Sequence, residues 1–257
     1  MSEIAKAFID RPALIGFLTA GDPSLTDSEE FIVAMATAGV DLIEIGVPFS
    51  DPIAEGPVIQ AANLRALATG TTLDGVFDLV ARVKRRTKTP LVLLTYLNPV
   101  LHYGYEAFFQ RAAETGLDGV IIPDLPFEEQ GELNYLADRN AVDLISMIAP
   151  TSMNRIAMIV AQAKGFIYLV SSMGVTGVRE SIESDLTDLV AVVRAKSSLP
   201  VAIGFGIGTP KQAREASSLA DGVIVGSAIV QIIAEHGAQS TEPLVEYVKS
   251  LKSAMLA

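Results

Sequence analysis

The chain has 257 residues, half of them hydrophobic and 19% charged, which excludes a disordered polymer and suffices for one α/β barrel or two small domains. Acidic residues outnumber basic ones by 30 to 19, and the resulting formal charge of -11 repels nucleic acid and anionic lipid. With no cysteine, the chain has no disulfide, thiolate metal site or cysteine nucleophile.

In chain order, the first residues carry Glu3, Lys6, Asp10 and Arg11 and lack the charged-then-apolar order of a signal peptide. No apolar stretch is long enough for a membrane span, so a soluble cytoplasmic protein is expected. A short helix near Glu3–Phe8 comes first. Eight apolar runs bounded by turn residues follow: Ala13–Thr19, Leu42–Gly46, Leu91–Tyr96, Gly119–Ile122, Asp143–Ile148, Phe166–Val170, Val201–Ile203 and Gly222–Val225. They are rich in Val, Ile and Leu with little polar alternation, as expected of parallel strands buried on both faces. Each gap holds a helical pattern. In the first, Thr26 and Glu29 form a candidate capping box and Gly39 a candidate stop.

Eight βα units predict a single (β/α)8 (TIM) barrel domain over 1–257, with the N-terminal helix closing its bottom; an open doubly wound sheet is the alternative. The starts of runs two and three lie 49 residues apart, and those of runs six and seven 35, so long loops are expected after strands two and six. Sites on this fold lie at the C-terminal ends of the strands.

At that end, alternation in Leu42–Gly46 sends Ile43 and Ile45 to the helices and Glu44 into the lumen. A carboxylate there must be paired, protonated or used; a hydrogen-bonded structural glutamate is the alternative. The proline-rich loop after it places Asp51 and Glu55 above the same mouth, and Glu44 with Glu55 forms a candidate acid–base pair. Gly204-Phe205-Gly206 and Gly226-Ser227 end the last two strands. Thr209-Pro210 reads as one helix start, and Ser227 as the cap of a helix Ala228–Ala234. Glycine turns before helix N-termini at these two loops form a candidate phosphate site. The loop Ser171–Gly177, with glycines around Thr176, is a candidate lid. Two histidines without metal spacing and no lysine at a strand's C-terminal end argue against a metal site and a Schiff base.

The segment Ile43-Glu44-Ile45-Gly46-Val47-Pro48-Phe49-Ser50-Asp51-Pro52-Ile53-Ala54-Glu55-Gly56-Pro57 closely resembles the signature of the tryptophan synthase alpha chain family. The resemblance runs over nearly the whole chain, through Thr19-Ala20-Gly21-Asp22-Pro23, Tyr96-Leu97-Asn98-Pro99, Pro123-Asp124-Leu125-Pro126, Gly174-Val175-Thr176-Gly177, Gly204-Phe205-Gly206-Ile207 and Gly226-Ser227-Ala228-Ile229-Val230. It implies a lyase that splits indole-3-glycerol phosphate into indole and glyceraldehyde 3-phosphate without metal or organic cofactor. The family's acids fall on Glu44 and Glu55, its indole pocket on Phe17 and Tyr168, its lid threonine on Thr176, and its phosphate positions on Gly177, Gly206, Gly226 and Ser227. The implied partner is a beta chain that holds pyridoxal phosphate, in an alpha2-beta2 heterotetramer. Its contact face is expected around Pro48–Ala54, with Pro48 and Asp51, and around Asn98–Tyr103. Relatives usually carry aspartate where this chain has Glu55, and some carry arginine where Ser172 stands. Two rival readings are another phosphate-binding barrel enzyme and a catalytically weakened subunit that chiefly binds and activates its partner.

Overall fold

In the computed structural model, which describes residues 2–9, 12–170, 182–204 and 206–257, the apolar runs form parallel strands alternating with helices. The strands are β1 Ala13–Thr19, β2 Leu42–Gly46, β3 Leu91–Leu94, β4 Gly119–Ile121, β5 Asp143–Leu144, β6 Ser146–Ile148, β7 Ile167–Val170, β8 Val201–Gly204 and β9 Gly222–Val225. They hydrogen-bond in the order β5-β4-β3-β2-β1-β9-β8-β7-β6. The two ends of that order, β5 and β6, are successive pieces of one strand joined at Ile145, so the ring closes through the chain itself. The expected eight-stranded barrel is therefore present, with its fifth strand in two parts. Barrel stagger accounts for the break: β5 pairs only with β4, and β6 only with β7.

Alternation sorts the apolar side chains into two cores. Leu14 and Leu18 of β1 and Ile43 and Ile45 of β2 pack against the helices, whereas Ile15, Phe17 and Leu42 join the luminal core. Each fully buried aliphatic side chain contributes about 1.5–3 kcal/mol relative to exposure. The first helix, α1 Glu3–Lys6, plugs the barrel bottom with Ile4, and Phe8 just beyond it lies 5.5 Å from the Phe166 ring.

The same end is pinned by a repeated device. Asp41, Asp118 and Asp221, each one residue before a strand, accept hydrogen bonds from Leu14 N (2.8 Å), Leu91 N (2.7 Å) and Val201 N (2.9 Å) on the neighbouring strand. Lys252, Lys84 and Arg194 respectively neutralise them. These charges serve the strands' N-terminal ends and leave the opposite mouth to the site.

The helices depart from expectation in detail. Helix α2, Leu25–Ala38, is capped by Ser24, whose hydroxyl accepts from Asp27 N (3.1 Å), and not by Thr26, which lies inside the helix. Ser24-x-x-Asp27 is itself a cap pattern, two residues upstream of the one expected. Gly39 ends α2 with φ 114°, as its glycine allows. The 49-residue gap is not one long loop: residues 47–56 lead into α3, Pro57–Ala68, and α4, Leu73–Lys84. Helices α5, Leu97–Tyr103, and α6, Tyr105–Thr115, follow β3, with Asp124 accepting from Leu97 N (2.8 Å) just past the point where that strand is expected to end. Next come α7, Gly131–Arg139, α8, Ile156–Gln162, and α9, Ile182–Arg194. The chain ends with α10, Pro210–Leu219, α11, Ser227–His236, and α12, Thr241–Met255. The expected lid lies outside the described residues. Among those that are described, no helix is long and apolar enough to cross a membrane.

Candidate active site

Glu44 stands in the middle of β2, in register with Phe17 of β1 and Val92 of β3. Its side chain enters the lumen, where it is 1% exposed, and its Oε2 has no hydrogen-bond partner among the described residues. Burial, with the nearby Glu55 as a smaller cause, pushes the Glu44 carboxyl up to about 8. It therefore carries a proton at neutral pH.

Glu55 comes from the loop between β2 and α3, and its Oε2 accepts from Asn63 Nδ2 at 2.6 Å. Tyr96, just beyond β3, holds the loop through its hydroxyl, which accepts from Ala54 N (3.2 Å), and the same hydroxyl favours the charged form of Glu55. Burial raises the Glu55 pKa, while the hydrogen bonds from Asn63 and Tyr96 oppose the rise. The two acids are thus held differently. One is fully buried, with an Oε2 that finds no partner among the described residues, and the other is partly buried with Asn63 and Tyr96 favouring its charged form.

Both acids line a cavity of about 730 Å³ at the C-terminal ends of the strands, together with Phe17, Tyr168, Gly206, Gly226 and Ser227. The structure thus brings together every described residue expected in the catalytic, indole and phosphate groups. Thr176 and Gly177 lie outside the described residues. Two glycines make room for the aromatic walls. A Cβ at Gly46 would lie 2.7 Å from the Phe17 ring, and one at Gly204 2.6 Å from the Tyr168 hydroxyl. Gly204 belongs to a glycine turn expected to open the backbone to an anion; here it seats a side chain. Gly206, with φ 79°, makes the turn that does line the cavity.

Helix α11 begins at Ser227, one residue earlier than expected, and its N-cap is Gly226, which offers no side-chain hydrogen bond. Ser227 is the first helical residue, not the cap. The leading N–H groups of α11 therefore face the cavity without a capping side chain, and the helix dipole adds positive potential. By contrast, Thr209 caps α10 as expected, in a reciprocal box with Gln212.

Of the residues expected at a partner interface, Asp51 and Asn98 are exposed but Pro48 is buried in the chain itself. The exposed large apolar groups of these two segments are Ile53, in the loop after β2, and Leu101, on helix α5. Asn63 and the role of Tyr96 are absent from the sequence reading. Asn63 is buried on the inner stripe of α3 with Ala62 and Ala66, and a lone amide on such a stripe is a legible signal.

A family described as "Tryptophan synthase alpha chain" matches residues 5–256. The chain belongs to the tryptophan synthase alpha chain family. The alpha chain of Lactiplantibacillus plantarum is 49% identical over 99% of this chain and 97% of its own length. That of Lacticaseibacillus casei is 44% identical over 99% and 96%. Among solved structures, an alpha chain from Legionella pneumophila superposes with a TM-score of 0.89 at 33% identity, covering 99% of this chain and 97% of that one. A chain of the tryptophan synthase a2b2 complex of Pyrococcus furiosus does so with a TM-score of 0.88 at 37% identity, covering 95% and 98%. Membership in the tryptophan synthase alpha chain family thus rests on the whole barrel, not on one motif.

Proposed function

We propose that this chain is the lyase that cleaves indole-3-glycerol phosphate to indole and glyceraldehyde 3-phosphate in tryptophan biosynthesis, acting in the cytoplasm as one barrel domain. One observation carries the reading: a buried, protonated Glu44 and a hydrogen-bonded Glu55 share an apolar cavity with the start of α11, whose N-cap Gly226 offers no side-chain bond.

Glu44 gives its proton to C3 of the indole ring, and the positive charge spreads onto the ring nitrogen. The Glu44 carboxylate then takes the proton of the hydroxyl on the carbon bonded to C3. As the aldehyde forms, that C–C bond breaks and its electron pair neutralises the ring. Glu44 ends protonated, as it began, so the balance needs no cofactor on this chain. Glu55 accepts the indole N–H and stabilises the cation while it exists. Phe17 and Tyr168 wall the ring, and the phosphate sits against Gly206, Gly226 and Ser227, with Gly177 and the lid residue Thr176 completing the enclosure.

Incubation with indole-3-glycerol phosphate and an assay for indole tests the reading directly; a folded chain that releases none, alone or with a beta chain, overturns it. Ser227→Asp sets a carboxylate where the phosphate is bound, so KM is expected to rise about tenfold or more, with a smaller change in kcat. An unchanged KM places the anion elsewhere.

The barrel mouth also presents Ile53, 77% exposed, on the loop after β2, and Leu101, 58% exposed, on helix α5 after β3. A beta chain that holds pyridoxal phosphate and consumes the indole is the partner this face suits. Sedimentation with the cognate beta chain is expected to give a complex of two alpha and two beta chains, weakened by Ile53→Asp. Separate sedimentation of the two chains favours a stand-alone lyase.

A further inference from the structure

The last helix reaches the anion-binding rim. The hydroxyl of Tyr247 on α12 donates to the carbonyl of Gly208 at 2.9 Å. From the other side, Gly208 N donates to Gln212 Oε1 at 3.0 Å. Both polar atoms of one residue, in the turn after β8, are thus fastened by side chains from two different helices. Neighbouring Ile207 is buried in the outer core, and a Cβ built on Gly208 would lie 3.6 Å from Ala228 Cβ, in the first turn of α11. Gly206, Ile207 and Gly208 line the cavity beside Gly226 and Ser227.

Gly206 and Gly208 lack side chains, and freezing such backbone carries a high cost in conformational entropy. Tyr247 is placed to oppose that loss. Leu244, Val248 and Leu251 bury the inner stripe of α12, which packs on α10 and α2, and Tyr247 stands half-buried at the stripe's edge. Burial pushes its hydroxyl up to about 12, so it remains a donor at neutral pH and well above it.

We propose that Tyr247 is a positioning residue for phosphate binding: by holding the Gly208 carbonyl it sets the 206–208 turn against the start of α11, so that the rim is organised before the substrate arrives. The inference rests on the anion site proposed above and adds to it a residue from the C-terminal helix. Tyr247 is not among the residues that line the cavity, so its effect falls on binding and not on proton transfer.

The test is Tyr247→Phe, which keeps the ring and removes only the donor. Inhibition by inorganic phosphate and the kinetics of indole release are measured in the full-length chain, alone and with a beta chain. The phosphate Ki and the substrate KM are expected to rise together by about three- to tenfold, the equivalent of one neutral hydrogen bond, with kcat within about twofold. Gln212→Met releases the same residue from the other side and is expected to raise Ki and KM likewise, which keeps the test valid if Tyr247→Phe folds poorly. A folded Tyr247→Phe chain with a lower Tm but unchanged Ki and KM overturns the proposal and leaves Tyr247 a packing residue. A proportionate fall in kcat overturns it too. If the unmutated chain cleaves the substrate but inorganic phosphate does not compete, the anion-site reading fails first and this one with it.

Discussion

Glu44→Gln is expected to reduce indole release by about a thousandfold or more while phosphate affinity stays near that of the parent. General acid–base catalysis contributes about 10²–10⁴, and here one carboxyl both delivers and collects the proton. The amide of the variant fills nearly the same space in the lumen but offers no exchangeable acid at C3 and no base at the hydroxyl. The pH profile gives the same test in the unmutated chain. Because the Glu44 carboxyl is held at about 8, kcat/KM should be level at neutral pH and fall tenfold per unit above about pH 8. Retention of most activity by a folded Glu44→Gln chain would sink the assignment.

The same displacement makes a stability statement of opposite sense. Between the ordinary carboxyl value of 4.5 and about 8, the unfolded chain gives up a proton that native Glu44 keeps. Stability contributed by this group is therefore complete below about pH 4.5, declines as pH rises to about 8, and is level beyond. Glu44→Gln removes that slope. At about pH 8 and above, the variant should be the more stable of the two, seen as a higher Tm. An inactive variant that is more stable separates a residue kept for chemistry from one kept for the fold.

The barrel was legible because its strands are buried on both faces. Runs such as Leu42–Gly46 and Gly222–Val225 need no partner information to be read as parallel strands, and their bounds match the observed strands. Glu44 was legible for a related reason, since a carboxylate in such a run contradicts burial unless it is used. What escaped the sequence depends on contacts between distant segments. The fifth strand divides because its halves pair with different neighbours, which no local pattern records. Gly204 looks like any turn glycine until the Tyr168 ring is seen lying against it. Ser227 has the chemistry of a cap, but the turn places Gly226 in that position. Tyr247 lies 39 residues from the carbonyl it holds, on a helix whose apolar stripe explains its neighbours and not its hydroxyl.

Glu55→Asp is expected to preserve or raise kcat/KM, whereas Glu55→Gln and Glu55→Ala should lower it by about 10² or more, as for loss of one charged transition-state contact. The indole ring becomes cationic only as C3 gains its proton, so a neutral amide at position 55 meets the ground state adequately and the transition state poorly. Gln keeps the length of the side chain, and its carbonyl can still accept from Asn63 Nδ2, now 2.6 Å from Glu55 Oε2. It thus isolates the charge from the geometry. Asp keeps the charge one methylene short, and Tyr96, which also fastens the loop at Ala54, stands beside the retracted carboxylate. A second signature accompanies the loss of charge. Glu55 is the like-charged neighbour that adds to the burial effect on Glu44, so Glu55→Gln lowers the Glu44 pKa and moves the alkaline fall in kcat/KM to lower pH. A crippled Glu55→Asp chain would mean that the Asn63–Tyr96 clamp is built for the longer acid and that reach outweighs charge. A Glu55→Ala chain with parental activity and an unmoved pH profile would make Glu55 a loop residue, and stabilisation of the ring cation would have to come from another group at the mouth.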